Sequence, residues 1–342
     1  MNAILVVNVN WVGDVIFSTP VFKALKAAYP QARIACLAVP RVRAVAESCP
    51  YIDEFIEFDE KGTHWTPWGK WALVADLRRR KFDAAFLLHR AWTRALLVCL
   101  AGIPVRVGYD TKNRGALLTR RIPWPEDWMH RSDQYLRVIE AFGVPVSDRS
   151  CALAVDETAR RDIADMLAAS GINEGKEFII VNTGGNWDLK RWPRENFAGL
   201  IRGLSGKGWN VVIPGAVQDI ALAEEIGRLS GAAPVILAGK TDLKQLLALM
   251  ERARLLISND SGPIHLAAAV GTPVVGIFGP TRPEVTAPRG KGPAVILQRD
   301  TGCNRAPCYY LDCPDNICMK AVSVEEVLGA AERLLAEAQV KG

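Results

Sequence analysis

The chain has 342 residues, of which 49% are hydrophobic and 23% charged, a composition typical of a globular protein and a length that fits two domains of roughly 150 residues each. No run reaches the roughly 18 apolar residues of a membrane-spanning helix, and residues 1–11 lack the basic region and cleavage site of a signal peptide, so we expect a cytoplasmic protein. The net charge of +5 is concentrated in residues 1–150, which contain 21 Lys and Arg against 15 Asp and Glu.

Apolar runs and helical stretches alternate along the chain. In the first half, strands are predicted at Ile4–Val9, Ala32–Ala38, Phe82–Leu88 and Val105–Tyr109, and helices at Val15–Ala28, Val42–Ser48, Trp92–Ala101 and Ser132–Ala141. In the second half, strands are predicted at Phe178–Asn182, Asn210–Pro214, Val235–Leu237, Leu255–Ser258 and Pro273–Phe278. The helices of that half are predicted at Glu157–Ser170, Arg194–Gly206, Ile220–Leu229, Leu243–Arg252, Ile264–Val270 and Val324–Ala338.

Short buried strands between helices predict parallel sheets that are covered on both faces. We therefore expect an α/β protein with two doubly wound, Rossmann-like domains that face each other across a cleft. The predicted domains are residues 1–150 and 151–322. A C-terminal helix over 323–342 would follow, with packing back on the first domain as one arrangement open to it.

The stretch SNDSGPIHLAAA, residues 258–269, joins a predicted strand to a predicted helix. In an open α/β sheet, ligands bind at the carboxyl ends of the strands, where helix N-termini offer unpaired N–H groups that favour phosphate. Gly262 would allow close approach of a ligand to the backbone. By itself the stretch also fits a structural interpretation, in which Asp260 caps the helix and His265 packs.

Two other strand-to-helix junctions carry charged side chains. In NTGGNWDLKRWPRENF, residues 182–197, Lys190 is either a point charge for a pyrophosphate or an exposed loop lysine. In NVNWVGDVIFSTP, residues 8–20, Asp14 is either a general base or an N-cap acid. The sequence contains neither the G-x-G-x-x-G fingerprint of a dinucleotide site nor a P-loop.

Together these stretches give the chain a resemblance to the family 9 glycosyltransferases, the ADP-heptose:lipopolysaccharide heptosyltransferases, over nearly its whole length. The matching motifs are W-V-G-D-x-x-x-S-T-P from Trp11, K-R-W-P from Lys190, N-D-S-G-P-x-H-L-A-A-A from Asn259 and G-T-P-V-V-G-I-F-G-P-T from Gly271. The form of the first motif is most like that of heptosyltransferase II.

The resemblance implies a GT-B fold, with the acceptor bound mainly by the first domain and the ADP-sugar by the second. It implies an inverting, metal-independent transfer of heptose from ADP-L-glycero-D-manno-heptose to the inner core of lipopolysaccharide, with no cofactor. No Asp-x-Asp pair occurs in the sequence, in agreement with a reaction that needs no metal. The implied partners are the nucleotide-sugar donor, an anionic acceptor and, peripherally, the cytoplasmic face of the inner membrane.

The resemblance also implies roles for individual residues. Asp14 would take the proton from the acceptor hydroxyl. The implied donor-binding residues are Lys190 with Ser261 and Gly262 at the diphosphate, His265 at the phosphate end, Asp260 at heptose hydroxyls, Asp219 at the adenosine ribose, and Thr183 and Thr281 along the pocket. The family usually has a glutamate at the position of Asp219, one methylene longer.

Four cysteines near the C-terminus follow the pattern C-x4-C-x4-C-x4-C: Cys303, Cys308, Cys313 and Cys318. Four thiolates are able to hold a structural zinc or iron ion, although zinc sites usually contain C-x2-C pairs. Free or partly oxidised thiols are the alternative.

Several alternatives remain open from the sequence. A family relative with another nucleotide sugar or acceptor, such as a protein heptosyltransferase, would share these motifs, and a GT-B-like nucleotide-sugar epimerase or a nonenzymatic sensor would also bind a nucleotide sugar. The acceptor cannot be identified, because the loops 40–43, 65–71 and 90–94 match no known pattern.

The basic run Arg78–Lys81 is either a solvated helix end or a surface for an anionic substrate or membrane. No basic stripe with interleaved aromatics occurs, so nucleic acid is not an expected partner.

Overall fold

The computed structural model describes residues 1–185, 187–308 and 312–340, with the side chains of 338–340 left out. The chain divides into two compact units, residues 1–154 and 155–342. Each unit is built around its own parallel sheet of six strands.

The sheet of the first unit has the strand order β3-β2-β1-β4-β5-β6. Its strands are β1 (Ala3–Val7), β2 (Arg33–Ala38), β3 (Glu54–Glu57), β4 (Ala84–Leu87), β5 (Val105–Tyr109) and β6 (Arg120–Ile122). All neighbours pair in parallel, and in the centre Leu5 is in register with Ala35 on one side and Ala85 on the other. The order reverses between β1 and β4, which is the topological switch point of a Rossmann-like sheet.

Five helices cover this sheet: α1 (Val12–Ala28), α2 (Arg43–Glu47), α3 (Pro67–Arg79), α4 (Trp92–Leu100) and α5 (Arg131–Glu140). Every residue of β1 and β4 is buried, as expected for central strands that have helices on both faces. Helix α1 packs against α5, and α3 packs against α4. The carboxyl ends of the strands therefore form an edge bordered by the first turns of helices.

The sheet of the second unit repeats this topology, with the order β12-β11-β10-β7-β8-β9. Its strands are β7 (Phe178–Asn182), β8 (Asn210–Ile213), β9 (Val235–Ile236), β10 (Leu255–Asn259), β11 (Val274–Ile277) and β12 (Ala294–Leu297). All pairs are again parallel. The switch point lies between β7 and β10.

In the part of the second unit that the structure describes, eight helices accompany the sheet: α6 (Glu157–Ala169), α7 (Arg194–Gly206), α8 (Ile220–Ser230), α9 (Leu243–Arg252), α10 (Gly262–Val270), α11 (Pro283–Thr286), α12 (Ile317–Lys320) and α13 (Val324–Val340). The C-terminal helix α13 packs against α7 and contributes Val327, Ala330 and Leu334 to the core around Val275 and Ile277. The apolar face of α13 is therefore buried within the second unit. No helix of the described residues is long and apolar enough to cross a membrane.

The predicted alternation of strands and helices is present, and the differences are local. The strands β3, β6 and β12 were not predicted, because they are short edge strands that carry exposed or half-exposed positions in place of an apolar run. Helix α1 begins at Val12 and α10 at Gly262, both earlier than predicted. Asp14 therefore lies inside the first turn of a helix and is not its N-cap, which is Trp11.

Candidate functional site

Several of the predicted site residues lie at the switch points of the two sheets. Asp14 follows β1 in the first unit, and Thr183 and Asp260 follow the central strands β7 and β10 of the second. Because neighbouring helices leave a parallel sheet in opposite directions at a switch point, a crevice forms there beside unpaired helix N–H groups. Each unit has a pocket at this place.

The pocket of the second unit has a volume of about 190 Å³. Its lining consists of two strand-to-helix junctions: Gly184, Gly185, Trp187, Lys190, Arg191, Asn259, Asp260, Ser261 and Gly262. Four of the eight predicted donor-binding residues, Lys190, Asp260, Ser261 and Gly262, are thus brought together although they are far apart in sequence.

Asp260 and Lys190 form the charged centre of this pocket. Lys190 Nζ donates to Asp260 Oδ2 at 2.6 Å, and the hydroxyl of Thr281 donates to the same oxygen at 2.6 Å. The side chain of Asp260 is 4% exposed and that of Lys190 is 23% exposed. A nearly buried carboxylate is costly unless paired, so this network fixes Lys190 and the loop of Thr281 around Asp260. Arg191 lies beside them and donates to the carbonyl of Gly185.

The interpretation of Asp260 as a helix cap is wrong. The N-cap of α10 is Ser261, and its side chain makes no capping hydrogen bond. The Ser261 hydroxyl instead accepts from Asn182 Nδ2 at 3.2 Å. The backbone N–H groups of Ser261 and Gly262 donate to no acceptor among the described residues, and Pro263 has no N–H. Two backbone donors at a helix N-terminus thus line the pocket beside an ammonium group, a combination suited to phosphate.

The shape of the turn depends on two asparagines at the carboxyl ends of β7 and β10. Asn182 donates to the hydroxyls of Ser258 and Ser261, and Asn259 accepts from the backbone N–H of Trp192 at 3.0 Å. Both asparagines are almost fully buried. No role was predicted for either residue, although Asn259 opens one of the matching motifs and Asn182 ends a predicted strand.

Asp219 and Thr183 lie behind the Gly184 turn. Asp219 accepts from the backbone N–H of Ala216 at 3.0 Å. A Cβ atom built on Gly184 would lie 2.6 Å from the Asp219 carboxylate, so a larger residue there would displace the Asp219 side chain. The hydroxyl of Thr183 is buried and has no hydrogen-bond partner in the part of the chain that the structure describes. Neither residue lines the pocket itself.

His265 and Thr281 occupy buried positions at the rim of the same edge. His265 lies on α10, one turn from its start, and is 6% exposed. Thr281 is 5% exposed and belongs to a loop whose carbonyl groups at Gly279 and Thr281 accept from Gln298 Nε2. Gln298, which follows β12, was not found from the sequence, because nothing in its local pattern distinguishes it.

The pocket of the first unit is larger, with a volume of about 450 Å³. It is lined by Val9, Asn10, Trp11, Asp14, Arg41, Leu88, His89, Arg90, Ala91, Tyr109, Lys112, Trp124, Arg131, Gln134 and Tyr135. Asp14 is the one carboxylate in this set, and four side chains are cationic. The pocket is thus basic around a single acid.

Two side chains of α5 hold Asp14. The hydroxyl of Tyr135 donates to Asp14 Oδ1 at 2.9 Å, and Arg131 Nε lies 3.5 Å from the same oxygen. Burial, followed by the negative charge of Asp14, raises the pKa of Tyr135 well above 10, so the phenol keeps its proton and remains a donor. Both contacts are to Oδ1. The other carboxylate oxygen, Oδ2, forms no hydrogen bond with any described residue and is therefore available to a substrate hydroxyl.

Two of the cations, Arg41 and Arg90, stack on tryptophan rings. The guanidinium of Arg41 lies 4.1 Å from the ring centroid of Trp11, and that of Arg90 lies 4.3 Å from the ring centroid of Trp124. Burial and the positive charges of the surrounding arginine and lysine side chains lower the pKa of His89 from 6.5 to about 3. His89 is therefore neutral at physiological pH, and the positive charge of the pocket comes from arginine and lysine.

Of the three loops that match no known pattern, two contribute to this pocket. Arg41 comes from the loop 40–43 and Arg90 from the loop 90–94, whereas residues 65–71 do not line it. Tyr135, Arg131 and Lys112 were missed because they come from segments distant in sequence from Asp14 and belong to no strand-to-helix motif.

The four C-terminal cysteines carry free thiols. No group of three or more His, Cys, Asp or Glu side chains is arranged to hold a metal ion in the described ranges, which omit residues 309–311 between the second and third cysteines. The described residues give no support to the predicted zinc or iron site, which stays a prediction. The segment packs against the loop of Thr281, since the N–H of Cys308 donates to the carbonyl of Pro280 at 2.8 Å and Cys303 and Cys318 border a cavity beside it.

Comparison with known proteins agrees with this architecture. The profile of the family described as glycosyltransferase family 9 (heptosyltransferase) matches residues 70–310. Lipopolysaccharide heptosyltransferase 2 of Escherichia coli K12 is 28% identical over 86% of this chain and 87% of its own length.

Among solved structures, a family 9 glycosyl transferase from Veillonella parvula superimposes with a TM-score of 0.86 at 27% identity, covering 98% of this chain and 97% of that one. The E. coli ADP-heptose lipopolysaccharide heptosyltransferase II superimposes with a TM-score of 0.80 at 25% identity, covering 99% and 100%. The predicted GT-B class, with two Rossmann-like doubly wound domains, is confirmed by these structures. With the family profile matched over more than half of its length, the chain belongs to glycosyltransferase family 9.

Proposed function

We propose that this glycosyltransferase transfers heptose from ADP-L-glycero-D-manno-heptose to the inner core of lipopolysaccharide, in the cytoplasm and with inversion at the anomeric carbon. The observation that carries the proposal is the pairing of Lys190 with the Asp260–Ser261–Gly262 junction at the switch point of the second sheet. The named relatives, which include lipopolysaccharide heptosyltransferases 2 and 3 of E. coli, support the choice of sugar and acceptor.

The second-unit pocket is assigned to the donor diphosphate. Lys190 has three N–H donors, of which one is used on Asp260, so the others are free for phosphate oxygens. The N–H groups of Ser261 and Gly262 would add two neutral donors. A Cβ atom on Gly262 would meet no described atom within 4 Å, so the space there is open to a ligand.

Asp260 is assigned two roles. Its Oδ2 holds Lys190 and Thr281, and its Oδ1 would accept from heptose hydroxyls. The ion pair with Lys190 offsets the repulsion that a carboxylate beside a diphosphate would otherwise cause. Asp219 is proposed to contact the adenosine ribose, and Thr183 to form part of the pocket wall behind Gly184. His265 is proposed to support the end of α10 that faces the phosphates.

The first-unit pocket is assigned to an anionic acceptor, with Asp14 as the base. The acceptor hydroxyl would attack the anomeric carbon and give its proton to the Asp14 carboxylate. The new glycosidic bond forms as the bond to the diphosphate breaks, and the electron pair leaves with the diphosphate. Arg41, Arg90 and Lys112 would bind carboxylates or phosphates of the acceptor.

Neutralisation of the leaving group by Lys190 and backbone N–H groups supports a reaction that proceeds without a metal ion. The cysteine segment is given no part in the chemistry. Its proposed role is mechanical, as a support for the loop that carries Thr281.

Incubation of the purified protein with ADP-heptose, with and without a heptose-deficient lipopolysaccharide acceptor, tests the proposal. We expect heptose on the acceptor by mass spectrometry, release of ADP, and no conversion of the donor when the acceptor is omitted. Isomerisation of the donor without acceptor would instead establish an epimerase. Donor binding without any reaction would establish a sensor, and transfer to a protein would establish a different acceptor class.

A further inference from the structure

Three tryptophans close together in the first unit are exposed to solvent. Trp65 is 69% exposed, Trp68 is 83% exposed and Trp71 is 54% exposed. They lie just before and in the first turns of α3, and none of them lines the acceptor pocket. An isolated exposed aromatic residue needs no explanation, but three within seven residues form a patch of the kind that marks an interaction surface.

Helix α3 is apolar on two faces. One face, with Leu73, Val74 and Leu77, is buried in the core of the first unit. On the rest of the helix, the exposed positions Trp68, Trp71, Ala72 and Ala75 are spaced i, i+3, i+4 and i+7 and form a second stripe. A surface helix of a protein that contacts only water normally has polar residues on that side, so the second stripe requires an apolar partner.

The charge around the stripe is positive. The segment 61–79 contains Lys61, Lys70, Arg78 and Arg79 and one acid, Asp76, which pairs with Arg79 and Arg80. Neither lysine forms a salt bridge with a described residue, and Lys70 Nζ donates to the carbonyl of Trp65 at 2.6 Å. At the other end of α3, Arg78 donates to the carbonyl of Leu100 and likewise has no carboxylate partner among the described residues.

We propose that the segment 61–79, the tryptophan segment, docks the protein onto the surface of an anionic phospholipid bilayer. Tryptophan suits the headgroup region of a bilayer, because its ring is apolar and its indole N–H is polar. Lysine and arginine side chains are attracted by the anionic headgroups. A second copy of the chain is a poorer occupant, since a twofold contact centred on the stripe would bring together two patches that each carry a net positive charge.

The connection between membrane docking and heptose transfer rests on the proposed function. An acceptor in lipopolysaccharide is anchored in a membrane, so an enzyme docked on that membrane would encounter it by diffusion in two dimensions. Binding to lipid does not rest on it. Vesicle binding is measured without sugar nucleotide or acceptor, so failure of the transfer assay and failure of this inference are separate results.

The test is co-sedimentation with vesicles of phosphatidylethanolamine and phosphatidylglycerol, and with phosphatidylcholine vesicles for comparison. The native chain should bind the anionic vesicles at least tenfold more strongly than the neutral ones. Its tryptophan emission should shift to the blue and be quenched by lipids brominated on the acyl chain. The triple variant Trp65→Ser, Trp68→Ser, Trp71→Ser should lose at least tenfold in binding.

Trp128→Ser is the matched control, because Trp128 is 64% exposed in the same unit but lies outside the tryptophan segment. Its binding should equal that of the native chain. Circular dichroism and the thermal unfolding midpoint establish that the triple variant is folded, and quenching in the native chain is informative even if that variant does not fold.

Three results would overturn the proposal. The first is an absence of binding and quenching in the native chain. The second is an equal loss of binding in Trp128→Ser, which would place the contact elsewhere. The third is a dimer by light scattering that the triple substitution dissociates while vesicle binding is unchanged, which would assign the stripe to a second copy.

Discussion

The two units use one sheet topology for two kinds of pocket. In both, the strand order reverses beside the first strand, and a pocket lies at the carboxyl ends of the strands flanking that point. The second-unit pocket is smaller and has three glycines in its lining, with Lys190 held by Asp260. The first-unit pocket is larger and made of long cationic and aromatic side chains around Asp14. The topology thus fixes where a ligand binds, and the loop side chains fix which ligand it is.

Because we propose that the acceptor hydroxyl is deprotonated in the first unit, Asp14→Asn is expected to have the largest effect. Because the amide cannot take a proton, kcat should fall by about 10²- to 10⁴-fold. The Kd for ADP, measured by calorimetry, should be unchanged because Asp14 belongs to the other pocket. A near-native kcat would show that Asp14 is not the base.

Lys190→Ala tests the second pocket. Loss of a charge-assisted contact of about 1.5–3 kcal/mol should weaken ADP binding by roughly 10- to 100-fold in calorimetry. Lys176→Ala, an exposed lysine of the same unit that donates only to the carbonyl of Gly171, is the control and should bind as the native chain does. An unchanged Kd in Lys190→Ala would remove this residue from the donor site.

Arg90→Ala should act on the acceptor alone. The KM for an anionic acceptor should rise by about tenfold, as expected for one charged contact, whereas the KM for the donor stays constant. The control is Arg121→Ala, an exposed arginine outside the pocket. If donor and acceptor KM values changed together, the assignment of separate ligands to the two pockets would be contradicted.

The smallest effect concerns the dependence of stability on pH. His89 has a pKa of about 3 in the folded chain and an ordinary value of 6.5, so between these values the unfolded chain binds more protons and stability falls as the pH falls. From pH 7 to pH 5.5 the contribution of His89 to the free energy of unfolding should decrease by about 1 kcal/mol. His89→Asn keeps an acceptor for the N–H of Ala91 and should flatten that part of the curve in urea unfolding. An identical slope in both proteins would count against the burial of a neutral His89.

Much of the fold followed from local pattern. Helices α7 and α9 and strands β5 and β7 have the predicted bounds, because apolar runs between turn residues are strong signals. The edge strands β3, β6 and β12 were missed, since half-exposed positions dilute the apolar pattern there. The metal site stays a prediction, because it depends on cysteine spacing alone and spacing does not determine where side chains point.

For the candidate site, the sequence predicted the residues that belong to strand-to-helix motifs, such as Lys190, Asp260 and Ser261. It did not predict their partners. Tyr135 lies 121 positions from Asp14, and Gln298 lies 17 positions from Thr281, and neither belongs to a motif. Asp260 also illustrates a wrong local interpretation, because a carboxylate next to a helix start is usually a cap.

By itself, the sequence determined the two α/β domains, the family and the chemical types of the candidate donor-site residues, because short-range pattern encodes strands, helices and the turns between them. Only the tertiary structure decided that Asp260 pairs with Lys190, that Tyr135 holds Asp14, and that two of three unmatched loops line the basic pocket. It also decided that the third loop, residues 65–71, exposes its tryptophans to solvent. These relations depend on how distant segments pack, and packing is a property of the whole sheet and its helices that no local pattern contains.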